Sequence, residues 1–285
     1  MKSALYKKSA FYSKSAFYSK SAFFSILLVS FISLNAQVKP DSLELGKYFE
    51  GFRNASFIML DLKKNEYTKY NPSQINKRLS PCSAFKIANS LIGLETGVIA
   101  DTDYVIKWDG LKRSIEAWNK DHSLKTAFPN SVVPYYQELA RRVGKEKMQS
   151  YIKKINYGNQ DVSGPVDQFW LMNSLKISAS EQVGFLKKLY NYDLPFSKRS
   201  IDMVKNIMVN LETGNGILRG KTGSGYEKDS SNFIGWYTGY LTTSDNVYIF
   251  ASNIENDKPL VNNVRVNGLR VREIVISILK DMKLL

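Results

Sequence analysis

A serine and a lysine three residues apart, Ser83 and Lys86, stand at the start of an apolar helical run. Residues three apart are neighbours on one helical face, so this spacing sets a hydroxyl beside an amine. A serine hydroxyl is a poor nucleophile until a base takes its proton. Histidine is the commonest base, but the sequence holds one histidine, His122, so a Ser-His-Asp apparatus has little to draw on. A free lysine amine is protonated at neutral pH, with a reference value of ~10.4. Burial among apolar groups lowers that value, and a neutral amine can combine with carbon dioxide to give an anionic carbamate. Phe85, Ile87 and Val133 are neighbours suited to keeping such a site dry. Taken alone, S-x-x-K is weak, because serine is a common helix cap and lysine a common surface residue.

Further motifs change that balance. Ser131-Val132-Val133 lies at an expected helix start, 48 residues after Ser83. Tyr157-Gly158-Asn159 follows a helix ending near Ile155, and Trp170 stands in Gln168-Phe169-Trp170-Leu171. Lys221-Thr222-Gly223 is a cationic, glycine-bearing strand segment, and Phe233-Ile234-Gly235-Trp236 opens the next strand. Several of these residues also have plain structural readings. Tyr157 can pack a helix end while Asn159 bonds local backbone. Trp236 and Tyr237 suit sheet packing. His122 suits a structural hydrogen-bonding role, and Cys82 an inert buried thiol. A single cysteine leaves no intramolecular disulfide, and one Cys with one His falls short of the usual zinc ligand set.

The elements that must position these residues alternate in type. Residues 55–62 and 67–70 read as a β-hairpin turning at Lys63-Lys64-Asn65. From about Ser83 to Asn210 the apolar period becomes helical: Ile87, Leu91 and Leu94; then Val133, Tyr136, Ala140 and Val143, with Gly144 as a stop; then Met148, Ile152 and Ile155. Ser178-Ala179-Ser180-Glu181 resembles a capping box ahead of Val183, Leu186 and Leu189. Strand patterns return in 216–222, 233–241 and 247–254, the last two joined across 242–246. Ile274, Ile278 and Met282 mark an amphipathic C-terminal helix. The order predicts an α+β fold: one antiparallel sheet from the N- and C-terminal parts, flanked by helices, with the central helices as a separate layer or lobe.

Residues 1–36 carry five lysines and no acid, with an apolar run over 23–34 and a small residue, Ala36, at the exit. This is the pattern of a secretory signal, although Leu34 is large for its place. The apolar run is short against the ~20 residues of a membrane span, which favours cleavage near Ala36 over an uncleaved anchor. The six-residue repeat Lys8 to Ser13, Lys14 to Ser19 and Lys20 to Ser25 is confined to this segment and reads as a duplication that lengthened it. Residues 37–285 then form the catalytic domain, with no Pro- or Gly-rich linker dividing them. The formal charge of +14 falls to +9 without the five lysines, leaving 35 basic against 26 acidic residues. The lysines are scattered, which argues for a solvated basic surface rather than a nucleic-acid face.

In order and spacing, Pro81-Cys82-Ser83-Ala84-Phe85-Lys86-Ile87, Asp121-His122-Ser123-Leu124, Ser131-Val132-Val133-Pro134, Gln137-Glu138-Leu139-Ala140-Arg141-Arg142, Tyr157-Gly158-Asn159, Phe169-Trp170-Leu171 and Lys221-Thr222-Gly223 resemble the class D (oxacillinase-type) serine β-lactamases across nearly all of 37–285. The resemblance implies a β-lactamase/transpeptidase-like fold and hydrolysis of β-lactam antibiotics in the periplasm or outside the cell, with carbon dioxide or bicarbonate as the only helper. It implies Ser83 as the acylated nucleophile and Lys86, N-carboxylated, as the base for acylation and deacylation. Ser131 would pass a proton to the lactam nitrogen, Val133 would exclude water, and Trp170 would donate its indole N–H to the carbamate. Lys221 and Thr222 would hold the substrate carboxylate, beside Gly223. The backbone N–H groups of Ser83 and Ser224 would form the oxyanion hole.

The chain also departs from the family. Ala84 stands where threonine is common, and Ser224-Gly225 where an aromatic is common. Relatives often carry an arginine three before a C-terminal isoleucine; counting back from Ile274 gives Val271, flanked by Arg270 and Arg272. Arg270 is the preferred candidate, with Arg272 or neither left open. The alternative function is a β-lactam sensor domain that acylates without turnover; the H-E-x-x-H metalloprotease motif that accompanies such domains is absent from this sequence. A cell-wall transpeptidase is a third reading, against which S-x-V replaces the usual S-x-N.

Overall fold

The computed structural model describes residues 44–171 and 174–285, so the expected signal segment lies outside the described residues. Residues 42–285 form one unit. Its first strands, β1 (Asn54–Asp61) and β2 (Glu66–Tyr70), are the expected hairpin. A short helix α1 (Pro72–Ile75) leads to a 3-10 turn, Cys82–Phe85, and directly into α2 (Lys86–Glu95). Two two-residue strands, β3 (Val105–Ile106) and β4 (His122–Ser123), pair with each other inside the helical region. The remaining helices there are α3 (Leu124–Ala127), α4 (Val133–Val143), α5 (Lys145–Lys154), α6 (Ala179–Asn191) and α7 (Lys198–Ile207). The chain returns to the sheet with β5 (Val209–Thr213), β6 (Gly216–Glu227), β7 (Asn232–Thr242) and β8 (Val247–Asn256). A small pair, β9 (Leu260–Val261) and β10 (Val264–Arg265), precedes α8 (Gly268–Asp281).

The six-stranded sheet has the order β2-β1-β8-β7-β6-β5, and every pairing is antiparallel. The α+β expectation therefore holds: the sheet joins both ends of the chain, and the helices between them form a layer on one side. Side chains alternate across the strands as a period of two requires. Ile58, Leu60, Trp236, Tyr240, Ile249 and Ala251 face the helical layer. Phe57, Met59, Tyr237, Leu241 and Phe250 face α8 through Val271, Ile274, Val275 and Ile278.

Two sequence boundaries shift. The helical stretch ends at Ile207 rather than Asn210, because Val209–Thr213 pairs with β6 as the edge strand. Ser131 precedes α4 by two residues and is held with a left-handed φ of 52°. The capping box is as read: Ser178 Oγ accepts the Glu181 N–H, and the Glu181 carboxylate accepts the Ser178 N–H.

Helix α2 is the centre of the helical layer, with residues 86 to 94 all buried. Burying polar groups demands partners for them. Ser90 Oγ donates to the Lys86 carbonyl at 2.7 Å and shares a 2.9 Å bond with Tyr136 Oη. Lys86 therefore enters the core on a helix whose buried Asn89 and Ser90 are tied to α4 through Tyr136.

Candidate active site

Ser83 sits in the 3-10 turn and Lys86 is the first residue of α2, which keeps their side chains on one face. Lys86 Nζ lies 2.7 Å from Ser83 Oγ. Lys86 is wholly inaccessible and Ser83 is 8% exposed. Burial drives the amine well below its ordinary range, and the nearby Lys221 charge pushes in the same direction. No carboxylate among the described residues forms an ion pair with Lys86 to offset this. The Tyr136 ring, 5.2 Å from Nζ, provides only a π-face.

The walls are aromatic. Phe85 meets Phe169, Tyr157 and Trp170 at ring-centroid separations of 5.3, 5.6 and 5.6 Å. Trp170 is fully buried, and its indole Nε1 has no hydrogen-bond partner. An orphaned buried donor is uncommon in folded proteins. Here the indole ring packs against that of Phe85, the residue just before Lys86.

The loop carrying Trp170 is fastened by Tyr157-Gly158-Asn159. Gly158 has φ 55°, and a Cβ there would stand 2.0 Å from the Lys176 carbonyl oxygen. Asn159 Nδ2 donates to the Ser174 carbonyl at 2.7 Å, and Asn159 Oδ1 accepts the Lys176 N–H at 2.9 Å. Tyr157 Oη accepts from Gln182 Nε2 at 3.1 Å. The motif thus has the plain structural role: it closes a loop. His122 does too, its ring nitrogens bonded to Thr126 Oγ1 and the Ala117 carbonyl. The Cys82 thiol is buried and pushed up to about 12, chiefly by burial, which leaves it inert.

Ser131 and Val133 arrive with the start of α4. The Ser131 N–H donates to the Phe128 carbonyl at 3.1 Å, and the Phe128 ring lies 5.7 Å from Lys221 Nζ. Val133 is half-buried. Lys221 lies on β6, buried, and burial lowers its amine to about 7. Its Nζ donates to the Thr222 carbonyl at 2.9 Å.

The K-T-G glycine is needed for close approach. A Cβ on Gly223 would come within 2.9 Å of the Pro81 carbonyl oxygen, and one on Gly268 within 2.5 Å of the Gly223 carbonyl oxygen. The Ser83 turn, β6 and the start of α8 are therefore in backbone contact. Ser224 Oγ accepts the Gly268 N–H at 2.9 Å.

A cavity of about 220 Å³ is lined by Phe128, Asn210, Lys221, Thr222, Leu269 and Arg272, among others, and no acid lines it. Arg272, not Arg270, is the arginine on its wall. Arg270 Nη1 bonds Glu273 instead, at 3.2 Å. Arg272 Nη2 makes a long bond to the Asn210 carbonyl at 3.4 Å and the guanidinium also meets the Tyr237 hydroxyl, while the buried Nε of each arginine has no hydrogen-bond partner. Tyr136, Phe128 and Gly268 were not singled out for the site by sequence. Only the helical stripe containing Tyr136 pointed inward, and nothing local marks the other two.

The chain matches the profile of the penicillin binding protein transpeptidase domain over residues 55–277. It is 39% identical over 263 residues to the β-lactamase OXA-48 of Klebsiella pneumoniae, covering 91% of this chain and 96% of that protein. It is 36% identical over 234 residues to the regulatory protein BlaR1 of Bacillus licheniformis, covering 81% of this chain but 37% of BlaR1. The solved class D β-lactamase of Sebaldella termitidis superposes with a TM-score of 0.80 at 36% identity, covering 85% of this chain and 97% of that one.

A lysine whose folded-state value lies below its unfolded one makes the protein more stable as pH rises across that window, here from about 7 to the ordinary 10.5 for Lys221. At pH 7 the amine is a net cost to folding. Lys221→Met is expected to raise the melting temperature at pH 7 by about 3 °C or more, with the gain shrinking towards pH 10. Calorimetry showing a lowered melting temperature at pH 7 would contradict the assignment of Lys221 as a buried amine without a counter-charge.

Proposed function

This chain belongs to the class D serine β-lactamases, within the penicillin-binding-protein transpeptidase family, and we propose that it hydrolyses β-lactam antibiotics through an ester formed on Ser83. The observation that carries this reading is a fully buried amine with no acid beside it, 2.7 Å from a serine hydroxyl. Burial weakens the hold of such an amine on its own proton, and an amine that gives up its proton is able to take one where an ammonium cannot.

Ser83 Oγ gives its proton to the base at Lys86 and attacks the lactam carbonyl carbon. The backbone N–H groups of Ser83 and Ser224 are the donors for the oxygen that gains charge. As the ring C–N bond breaks, the nitrogen takes a proton by way of Ser131, and the ester remains on Ser83. Water then attacks the ester carbonyl. Its hydroxyl stays with the product acid and its other proton returns to Ser83. Val133 keeps other water away from the amine.

Two features fit an N-carboxylated Lys86: a buried Nζ whose proton affinity is driven well below the ordinary lysine range, and the partnerless Trp170 Nε1. A carbamate there would supply an anionic oxygen base, with Trp170 as its donor. Lys221 and Thr222 hold the substrate carboxylate, and the acid-free cavity supports Arg272 as the arginine that joins them. The signal-like pattern of residues 1–36 supports export to the periplasm or beyond. No helix among the described residues is long and apolar enough to cross a membrane.

In buffer stripped of carbon dioxide, steady turnover of a chromogenic cephalosporin is expected to fall by about tenfold or more and to recover on adding bicarbonate. Turnover indifferent to both would contradict the carboxylated base, and a single burst without turnover would favour the sensor alternative. For the carboxylate site, Arg272→Ala is expected to raise KM by about tenfold, the loss of one charge-assisted contact, while Arg270→Ala stays within about twofold. The reverse order in steady-state kinetics would return the role to Arg270.

A further inference from the structure

Glu227, at the end of β6, is buried and lies on the K-T-G strand six residues past Lys221. Its two carboxylate oxygens serve different segments. Oε2 accepts the backbone N–H of Ser80 at 2.9 Å, and Oε1 pairs with Lys176 Nζ at 3.0 Å. Ser80 is three residues before the nucleophile. Lys176 is the residue whose backbone N–H and carbonyl both bond Asn159 at the foot of the Trp170 loop. Next to it, Ile177 bridges Leu79 in a pair of backbone hydrogen bonds. One carboxylate therefore joins the strand that carries Lys221, the segment that leads into the nucleophile's turn and the base of the loop that carries the indole.

The 79–83 segment is also held by the Leu79–Ile177 pair and by the close approach of Gly223 to the Pro81 carbonyl, and a second sheet side chain reaches Ser80 itself. Trp236 Nε1 donates to the Ser80 carbonyl at 3.0 Å, so the two backbone groups of Ser80 are gripped by two side chains from the sheet. Beyond them the chain passes through Cys82, which holds a left-handed φ of 49°, and turns at the bond from the Ala84 N–H to the Pro81 carbonyl. A hydrogen bond from a backbone N–H to a carboxylate is stronger than one between neutral groups. In a buried place, losing it leaves the Ser80 N–H unsatisfied.

We infer that Glu227 is a positioning residue for acylation: through the Ser80 N–H it sets where the Ser83 hydroxyl and its backbone N–H stand relative to β6. This rests on the reading that Ser83 is the residue acylated. The geometry makes the reach of the carboxylate matter more than its charge. Glutamine keeps an acceptor oxygen at the same reach without the charge. Aspartate keeps the charge but withdraws it by one methylene. Displacements of about 1 Å at a reacting group cost up to ~100-fold in rate.

The test is single-turnover acylation by a fluorescent penicillin, followed in wild type, Glu227→Gln, Glu227→Asp and Glu227→Ala, each held well below its own melting temperature. Labelling of the wild type at Ser83, located by peptide mass, checks the underlying reading separately. The expected order is wild type and Gln within about threefold, with Asp and Ala slower by about tenfold or more. Val275→Ala, which destabilises the far face of the sheet, is expected to acylate at the wild-type rate. Asp faster than Gln would mean the ion pair to Lys176 is what matters and would overturn the inference. So would Glu227→Ala at the wild-type rate, or a Val275→Ala variant slowed as much. Should Glu227→Ala not fold, the Gln and Asp pair decides the matter.

Discussion

An amine buried without a counter-charge is the constraint on which the rest of this molecule turns. Lys86 is fully enclosed at the first residue of the most buried helix, and a second buried lysine, Lys221, adds repulsion rather than relief. Burying an unpaired charge is costly, and such a group sheds its proton instead. The surroundings enforce that outcome. Phe85, Phe169 and Trp170 form an aromatic cluster around the turn into α2, Tyr136 presents its ring to Nζ, and no acid pairs with it among the described residues. The same burial that weakens the amine's hold on its proton acts on a nitrogen that the turn into α2 places 2.7 Å from the Ser83 hydroxyl.

A site built on such a cost needs a rigid frame, and the frame is made of close backbone contacts. Gly223 lets β6 touch the Ser83 turn, Gly268 lets α8 touch β6, and Gly158 lets the Trp170 loop close on Lys176. Each contact joins segments far apart in sequence. The antiparallel sheet makes this possible, because β1 from the N-terminal part pairs with β8 from the C-terminal part and brings the Ser83 turn beside the K-T-G strand. The buried Glu227 and Trp236 side chains then grip Ser80 from the sheet side.

Much of this was legible from residue order. The hairpin, the stripes of α4 and α5, the Ser178 cap and the strand carrying Lys221 each announce themselves through local periodicity or capping chemistry, which depends on near neighbours alone. What was not legible depends on distant partners. Asn159 reads as a turn residue, but its role is set by Ser174 and Lys176. The strand at Val209–Thr213 lacks a strong pattern of its own because an edge strand is half-exposed and paired on one side. The two arginines of α8 illustrate the limit best. At 3.6 residues per turn, residues two apart point roughly 200° away from each other. Choosing between Arg270 and Arg272 therefore requires knowing which face of α8 meets the sheet, and Val271, Ile274 and Ile278 reveal that only once packed.

The central claim is that burial without a counter-charge drives the Lys86 amine well below the ordinary lysine range. The most direct measurement is the protonation of its side chain, followed by NMR of selectively labelled lysine in buffer free of carbon dioxide, with a Lys86→Arg variant to assign the signal. The account predicts that the amine loses its proton well below the ordinary lysine range. A Lys86 signal that stays in the ammonium form up to about pH 10, as an exposed lysine does, would contradict it.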